Sequence, residues 1–556
     1  PVITAHLKGN GLLIREEKLR HSYPHCWRCH QPIIFRATHQ WFISMEENSL
    51  REKALKAIGE VRWLPAWGQE RIHNMIQNRP DWCVSRQRAW GVPIAVFSCA
   101  ACGEIVRAPE VFEHVVALVE AHGADFWFEN DAAELLPGGV RCGCGHSQFV
   151  KENDILDVWF DSGVSHAAVL ENNPDEGWPA DLYLEGSDQH RGWFHSSLLE
   201  AIGTRGHAPY KAVVTHGYVV DGKGKKMSKS AGNVIAPQKI IDQFGAEILR
   251  LWVASENYRE DIRISQEILK RLTEAYRKIR NTFRFLLGNV SDFDPAADAL
   301  AFDELFEIDR YILHRFRLLS EKIEHAFLAY EFHVFYHAFY NFCVVDLSAF
   351  YLDILKDRVY TYPKKSRERR SGQTALHHLL TGMARLMAPV LAFTADEVWS
   401  HLPGKSKAAS VHLTEFADAS GYRVSDPLAK KWEMLTLLKG EVSKALEHCR
   451  REKIIGHSLD AEVRLVLPGK VREAIGNDFA DLKYIFIVSD VQVVDNLGGE
   501  DGVTVSEDVP GLKIASCMSP GVKCERCWNY FIAVGQGGEE AALCSRCHDN
   551  LQAAGA

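Results

Sequence analysis

At 556 residues the chain is too long for one hydrophobic core, and its length predicts three or four domains. Apolar residues at 46% and charged residues at 25% give the usual balance of a globular protein. The 64 basic and 73 acidic side chains leave a net charge of −9, which excludes attraction for nucleic acid over the whole surface; any RNA must be held by local basic patches.

In chain order, Pro1-Val2-Ile3-Thr4 carries no Met, basic region or apolar signal core, so the expectation is a chain without a targeting peptide that begins inside a longer gene product. No stretch reaches eighteen uncharged apolar residues, and no membrane span is expected. Extended segments are expected around Ile33–Ala37 and a helix near Ser49–Ile58. Residues 99–144 bear Cys and Gly and suit an inserted metal knuckle. An α/β grammar follows: Asp181–Glu185 reads as a buried strand, Gly186-Ser187-Asp188 as a turn, Trp193–Ile202 as a helix and Lys211–Thr215 as a short β-branched strand. Such alternation implies a parallel sheet with ligands at the strand C-terminal ends. From Ser265 the period becomes helical, with Ile268, Leu272, Tyr276, Ile279, Phe283 and Leu286 on one face and Gly288 placed as a stop. Helical periodicity continues through Ile308–Leu355 and Thr374–Trp399, with Lys364–Arg370 as a basic connector. Strands are expected at Glu462–Leu467 and Tyr484–Val488, and the last forty residues form a four-cysteine module.

The fourteen cysteines carry the first chemistry. Cys524-x₂-Cys527 and Cys544-x₂-Cys547, separated by sixteen residues, have the spacing of a self-contained zinc ribbon. Cys99-x₂-Cys102 with Cys142-x-Cys144 is a second candidate, its C-x-C step tighter than usual. Cys26-x₂-Cys29 lacks an obvious third and fourth ligand. Cys83, Cys343, Cys449 and Cys517 read as packed thiols. Paired thiolates of this kind fit a reducing, cytoplasmic setting better than a disulfide framework.

The second chemical signal is Lys226-Met227-Ser228-Lys229-Ser230, preceded by Asp221-Gly222-Lys223-Gly224-Lys225. Four lysines within seven residues, interleaved with glycine, make a cationic loop suited to a polyphosphate whose charge builds up as it leaves, although a solvated turn has the same composition. Gly217 to Gly222-Lys223 matches G-x-x-x-x-G-K, but Gly224 stands where a P-loop needs the magnesium-binding Ser or Thr.

Lys226–Ser230 resembles the KMSKS signature of class I aminoacyl-tRNA synthetases. With it stand Asp81-Trp82-Cys83-Val84-Ser85-Arg86-Gln87-Arg88-Ala89-Trp90-Gly91-Val92-Pro93, Asp157-Val158-Trp159-Phe160-Asp161-Ser162-Gly163 and Leu184-Glu185-Gly186-Ser187-Asp188-Gln189-His190-Arg191-Gly192-Trp193-Phe194. In order and spacing these resemble the bacterial-type isoleucyl enzymes, over nearly the whole chain. The resemblance implies an α/β fold, the later half of a Rossmann-like catalytic domain, followed by an α-helical bundle, a small α+β junction and a zinc ribbon. The implied segments are 1–20 (tail of an editing insertion), 21–98 (connective, opening the second catalytic half), 99–144 (zinc knuckle), 145–264 (second catalytic half with the lysine loop), 265–425 (anticodon-binding bundle), 426–515 (junction) and 516–556 (ribbon).

The implied activity is isoleucine–tRNA ligation through an isoleucyl-adenylate, on ATP with Mg²⁺, L-isoleucine and tRNA(Ile), by a monomer holding one or two Zn²⁺. Glu185 would grip the amino acid or adenylate, Gly186 admit the nucleoside, Asp188 accept from a ribose hydroxyl and Gln189 bond the substrate. Trp159 and Trp193 would wall the side-chain pocket, or be ordinary core. Lys226 and Lys229 are the catalytic candidates, with Met227, Ser228 and Ser230 completing the ATP loop. Trp528 and Tyr530 beside the ribbon cysteines would stack on bases or pack the ribbon. The family's His-Ile-Gly-His element and most of its editing insertion are not in this sequence, so the expectation is a chain unable to form adenylate alone. The rival readings are a valyl or leucyl ligase of the same fold and a non-catalytic zinc and RNA-binding protein.

Overall fold

The computed structural model describes residues 2–26, 29–228, 231–404, 407–476, 479–497, 502–532 and 543–555. They fall into two compact units, 1–215 and 216–556.

In the first unit a short helix, Val2–Gly9, precedes a long irregular segment. The stretch 33–37, expected to be extended, is assigned to no strand, and Ile34 and Phe35 are 78% and 83% exposed. The expected helix runs Leu50–Glu60 and buries Leu50, Ala54, Ala57 and Ile58 at three- and four-residue steps. A three-stranded sheet follows, with Ala212–His216 in the centre, Arg62–Leu64 parallel on one side and Tyr183–Gly186 on the other. The central strand buries Ala212, Val213, Val214 and Thr215 on both faces, as an unbroken β-branched run should. The helix Trp193–Arg205 is buried at every position from Phe194 to Ile202 and ends at Gly206, whose φ of 83° suits a residue without Cβ. Segment 99–144 is more than a metal loop: Val111 and Val115 of the helix Pro109–His122 join Phe97, Trp127 and Leu135 in a core of their own.

The second unit opens with two parallel strands, Val219–Asp221 and Ile262–Ile264. The helix Gln266–Asn289 is capped by Ser265 Oγ, which accepts from the Ile268 N–H. Gly288 does not stop it. That glycine lies inside the last turn with open space beside it, and the helix closes at Val290. Glu307–Leu328 and a continuous helical run Phe332–Thr361 follow. This run is long and apolar enough to cross a bilayer by length and composition, which the sequence was expected not to offer. Here Phe335, Phe339, Cys343, Leu347 and Tyr351 are spent on the core of the bundle. Asp309, fully buried, accepts from Tyr351 Oη at 2.7 Å, Ser371 Oγ at 2.6 Å and both Arg358 terminal nitrogens, tying three helices together.

Lys364–Arg370 is not a loose connector. Ser366 caps the helix Arg367–Met387, and Arg369 reaches back to the Val359 carbonyl and Asp292. Beyond Ala388-Pro389 the chain restarts as Ala392–Ser400. After the long helix Asp426–Arg451, a four-stranded sheet runs Asp490–Val493, Ala461–Val466, Lys513–Met518, Thr504–Val505 across its width. The strand expected at Tyr484–Val488 is instead a helix, Leu482–Phe486. Leu482, Ile485 and Phe486 bury one helical face, a pattern a five-residue apolar run does not distinguish from a strand.

Candidate active site and metal centres

The candidate residues of the first unit gather where the strand Tyr183–Gly186 ends and a tight turn, Ser187–Arg191, leads into the helix Trp193–Arg205. Glu185 and Asp188 are exposed at this strand end and Gly186 is buried. The Gln189 carboxamide oxygen accepts from the Trp193 N–H at 3.0 Å, closing the helix N-terminus. Gly192 has no alternative: a Cβ there would fall 2.5 Å from Gln189 Oε1 and 2.7 Å from the Trp159 ring. The turn thus brings Trp159, Gln189 and Trp193 together.

The two tryptophans differ. Trp193 stacks on Tyr183 with centroids 3.9 Å apart, and its Nε1 donates to Ser162 O and Ser165 Oγ, both at 3.0 Å. It is a fixed wall. Trp159 is 42% exposed, with its backbone N–H accepted by Asp157 Oδ1 at 3.1 Å. Asp157, nearly buried, also takes Arg86 at 2.5 Å. Sequence reading quoted Asp157, Arg86 and Gly192 within longer runs but gave them no role; an Asp immediately before a short helix is the one readable sign, as an N-cap.

The lysine loop belongs to the second unit. Asp221 organises it: Oδ1 accepts the Lys223 and Lys225 N–H groups, each at 2.9 Å, and Oδ2 accepts from Asn233 Nδ2 at 2.9 Å. Asn233 and then the Lys225 and Lys223 amides hold the Asp221 carboxyl below its ordinary pKa. Asn233 Oδ1 accepts the Ser228 N–H at 3.0 Å, and Nδ2 also reaches the Lys226 carbonyl at 3.3 Å. Gly224 sits at φ 77° where the loop reverses. Lys226 Nζ lies 5.9 Å from the Tyr218 ring centroid, and Met227 packs against the core. Lys229 and Ser230 lie outside the described residues. A backbone braced on one carboxylate and one amide keeps several ammonium groups at a single bend, an arrangement fit to neutralise polyphosphate.

The eight predicted metal-site cysteines form two clusters, each with its four sulfurs within 4.8 Å of one another. Four thiolates about Zn²⁺ at about 2.3 Å stand about 3.8 Å apart. Here Cys527–Cys544 is 3.7 Å, Cys99–Cys144 is 3.7 Å and Cys102–Cys142 is 3.5 Å, so both sets fit the ion. Burial raises the Cys524 thiol, but the Cys527, Cys544 and Arg526 amides aimed at it bring it down to about 6. The Cys102 amide leads in drawing Cys99 down to about 6. Two backbone bonds bracket Cys26-x₂-Cys29 as they bracket Cys524-x₂-Cys527. Cys26 N–H donates to Gln31 O and His30 N–H to Cys26 O, as Cys524 N–H donates to Asn529 O and Trp528 N–H to Cys524 O. It enters no cluster of four among the described residues. Of the thiols read as packed, Cys343 and Cys449 are buried and Cys83 is half-buried, but Cys517 is exposed. Trp528 is 56% exposed and Tyr530 is half-buried.

Residues 13–265 match the family of tRNA synthetases class I (I, L, M and V), residues 309–465 the anticodon-binding domain of tRNA ligase, and residues 521–550 the zinc finger found in FPG and IleRS. The chain is 56% identical to an isoleucine–tRNA ligase of Syntrophotalea carbinolica over 98% of its own length and 59% of that protein's. Identity is also 56% to that of Geobacter sulfurreducens, over 97% of this chain and 58% of the relative, and 52% to that of Caldanaerobacter subterraneus subsp. tengcongensis, over 99% and 59%. The chain thus spans about three-fifths of the length of these relatives. Similar solved structures include a LeuRS–tRNA–LeuAMS complex of Agrobacterium radiobacter K84, at 19% identity, TM-score 0.45 and coverage of 62% of this chain and 44% of that one. A Mycobacterium tuberculosis methionyl-tRNA synthetase with methionyl-adenylate is 16% identical at TM-score 0.46, covering 67% and 65%. This chain belongs to the class I tRNA synthetases, in the isoleucine–tRNA ligase family.

Proposed function

We propose that the protein of which this chain forms part is an isoleucine–tRNA ligase: it activates L-isoleucine with ATP and transfers it to tRNA(Ile). The observation that carries the reading is a strand end bearing Glu185, Asp188, Gln189 and the two tryptophans in the same chain as the braced lysine loop. The isoleucine carboxylate attacks the α-phosphorus of ATP, the bond from α-phosphorus to the bridging oxygen breaks, and pyrophosphate leaves. Such a reaction needs positioning and charge stabilisation rather than a covalent enzyme nucleophile.

In this reading Glu185 binds the isoleucine ammonium or its adenylate. Gly186 admits the nucleoside, and Asp188 accepts from the ribose. Gln189 is held by Trp193 and contributes its remaining amide valence. Trp159 and Trp193 enclose the aliphatic side chain. Lys226 and Lys229, with Met227, Ser228 and Ser230 in the same loop, neutralise the departing pyrophosphate, whose Mg²⁺ comes with ATP. The ribbon cysteines, and less strongly those of the 99–144 knuckle, hold Zn²⁺ in structural four-thiolate sites.

Segments 145–264, 265–425, 426–515 and 516–556 serve as second catalytic half, anticodon-facing bundle, junction and ribbon. Residues 1–20 serve as the end of an editing insertion, and 21–98 as the connective segment and start of the second catalytic half. The protein is proposed to work as a cytoplasmic monomer. In the complete enzyme, Lys229→Ala tests the loop assignment. It should slow adenylate formation far more than it weakens isoleucine binding, because the charge it meets is greatest in the transition state. Equal losses in kcat and in isoleucine affinity would make Lys229 a ground-state contact only.

A further inference from the structure

Beside the strand-end cluster lies a cavity of about 330 Å³ whose charged lining has no assigned task. Arg79, Arg86 and Arg191 face it together with Asp81, Asp157, Trp82, Trp159 and the first turn of the helix Trp193–Arg205 through Gly192, His195 and Ser196. The carboxylates are committed elsewhere: Asp81 accepts the Met45 N–H at 2.8 Å, and Asp157 binds Arg86 and the Trp159 N–H. Among the described residues no carboxylate comes within ion-pair distance of Arg79 or Arg191. The Arg79 guanidinium packs on Trp82 at 5.3 Å, and its Nε is buried without a hydrogen-bond partner.

His195 is the second, independent sign. It is 4% exposed and lines the cavity, and neither ring nitrogen makes a hydrogen bond of good geometry, with only a weak contact to the His190 backbone. Burial first, then Arg79, with Arg191 adding to it, pulls its pKa down to about 3, so the ring stays neutral between two cations. Asp157 acts on Arg79 only at longer range, so two guanidiniums without a direct ion-pair partner face one small concavity, where an added anion is favoured.

We infer that this cavity is an oxyanion subsite for a phosphate group, with Arg79 and Arg191 as its cationic walls and the His195 N–H supplying a further donor. Guanidinium forks match the several acceptor oxygens of phosphate, and the cavity volume exceeds what one carboxylate fills. The phosphate comes either from a free inorganic polyphosphate or from the backbone of a single-stranded RNA. The assignment does not require the ligase reading, since it stands on the cavity alone.

The test is calorimetric titration of the chain at low ionic strength with inorganic pyrophosphate and, separately, a six-nucleotide single-stranded RNA. It is done in a Lys226→Gln, Lys229→Gln background so that the lysine loop does not mask the result. Arg191→Gln and Arg79→Gln should each weaken binding of at least one probe tenfold or more, while Arg107→Gln, at an exposed arginine outside the cavity, leaves it unchanged. Arg191 is exposed, so its variant should keep the parent's melting temperature and separates binding from folding. The probe that loses affinity identifies the source of the phosphate. Unchanged affinity of both variants for both probes, or no binding once the loop lysines are replaced, would overturn the subsite. Neither result would touch isoleucine-dependent exchange in the complete enzyme, on which the ligase reading stands.

Discussion

Asp221 and Asn233 set the shape of the lysine loop through hydrogen bonds to four of its backbone groups, the amides of Lys223, Lys225 and Ser228 and the Lys226 carbonyl. Asp221→Ala frees the Lys223 and Lys225 amides and cuts the link to Asn233, so the backbone that carries the lysines loses its brace without any lysine being removed. In the complete enzyme kcat for pyrophosphate exchange should fall about tenfold, a loss of about 1.4 kcal/mol of transition-state stabilisation, with KM for isoleucine little changed. A rise in KM alone would show that the brace serves binding and not the charge build-up. The lysines themselves were legible in the sequence, because their density and the glycines between them are unusual. The brace was not, because an Asp at the head of a turn and an Asn twelve residues on carry no pattern.

Glu200 is a different residue-scale case. Both carboxyl oxygens are buried without a hydrogen-bond partner, and a Cβ on Gly163 would come 2.3 and 2.4 Å from them. Burial, then Asp161 and Asp157, push its pKa up to about 9 from an ordinary 4.5. Between those values the unfolded chain gives up a proton that the folded chain keeps, so this group's contribution to stability falls as pH rises through the window. Glu200→Gln keeps the shape and removes the titration. Thermal unfolding should show the variant gaining on the parent steadily from pH 5 to pH 8.5. A difference that does not change with pH would mean that Glu200 is ionised in the fold.

At the scale of elements, the ribbon shows how a metal module joins a helical bundle. Each cysteine pair carries an arginine just before its second ligand: Arg526 donates to the Thr361 carbonyl at 3.0 Å, and Arg546 binds Asp357 through two bonds of 2.6 and 2.8 Å. Both reach the C-terminal end of the helix Leu352–Thr361, where carbonyls are left unpaired and positive charge is favoured. Elemental analysis of reduced protein should give between one and two zinc ions per chain. Cys544→Ser should abolish the ribbon's share and expose residues near Tyr362 and Arg546 to proteolysis. A chain that contains no zinc, or a ribbon that resists protease without it, would contradict the structural role.

Element boundaries were readable where period and caps agree, as in Gln266–Asn289 behind Ser265. They failed where one signal stood alone. Gly288 suggested a stop that packing did not need, Tyr484–Val488 was too short to tell strand from helix, and the basic run after Lys364 concealed a capped helix start at Ser366. The cysteine clusters were legible from spacing because metal geometry leaves few spacings open. The helix inside the 99–144 insertion was eclipsed by those same cysteines.

For the whole molecule, the proposed function divides the labour: a strand end would select and hold isoleucine, and a braced cationic loop would stabilise departing pyrophosphate. The first unit carries one part and the second unit the other, each with its own core. The family matched over residues 13–265 takes in the I, L, M and V synthetases, so the amino acid is what an experiment must discriminate. The measurement that bears on it most directly is ATP–pyrophosphate exchange by the product of the complete reading frame, with isoleucine, valine and leucine supplied in turn. Exchange driven by isoleucine at a kcat/KM at least tenfold above that for either competitor is the expected result. Exchange led by valine or leucine, or none with any of the three, would contradict it.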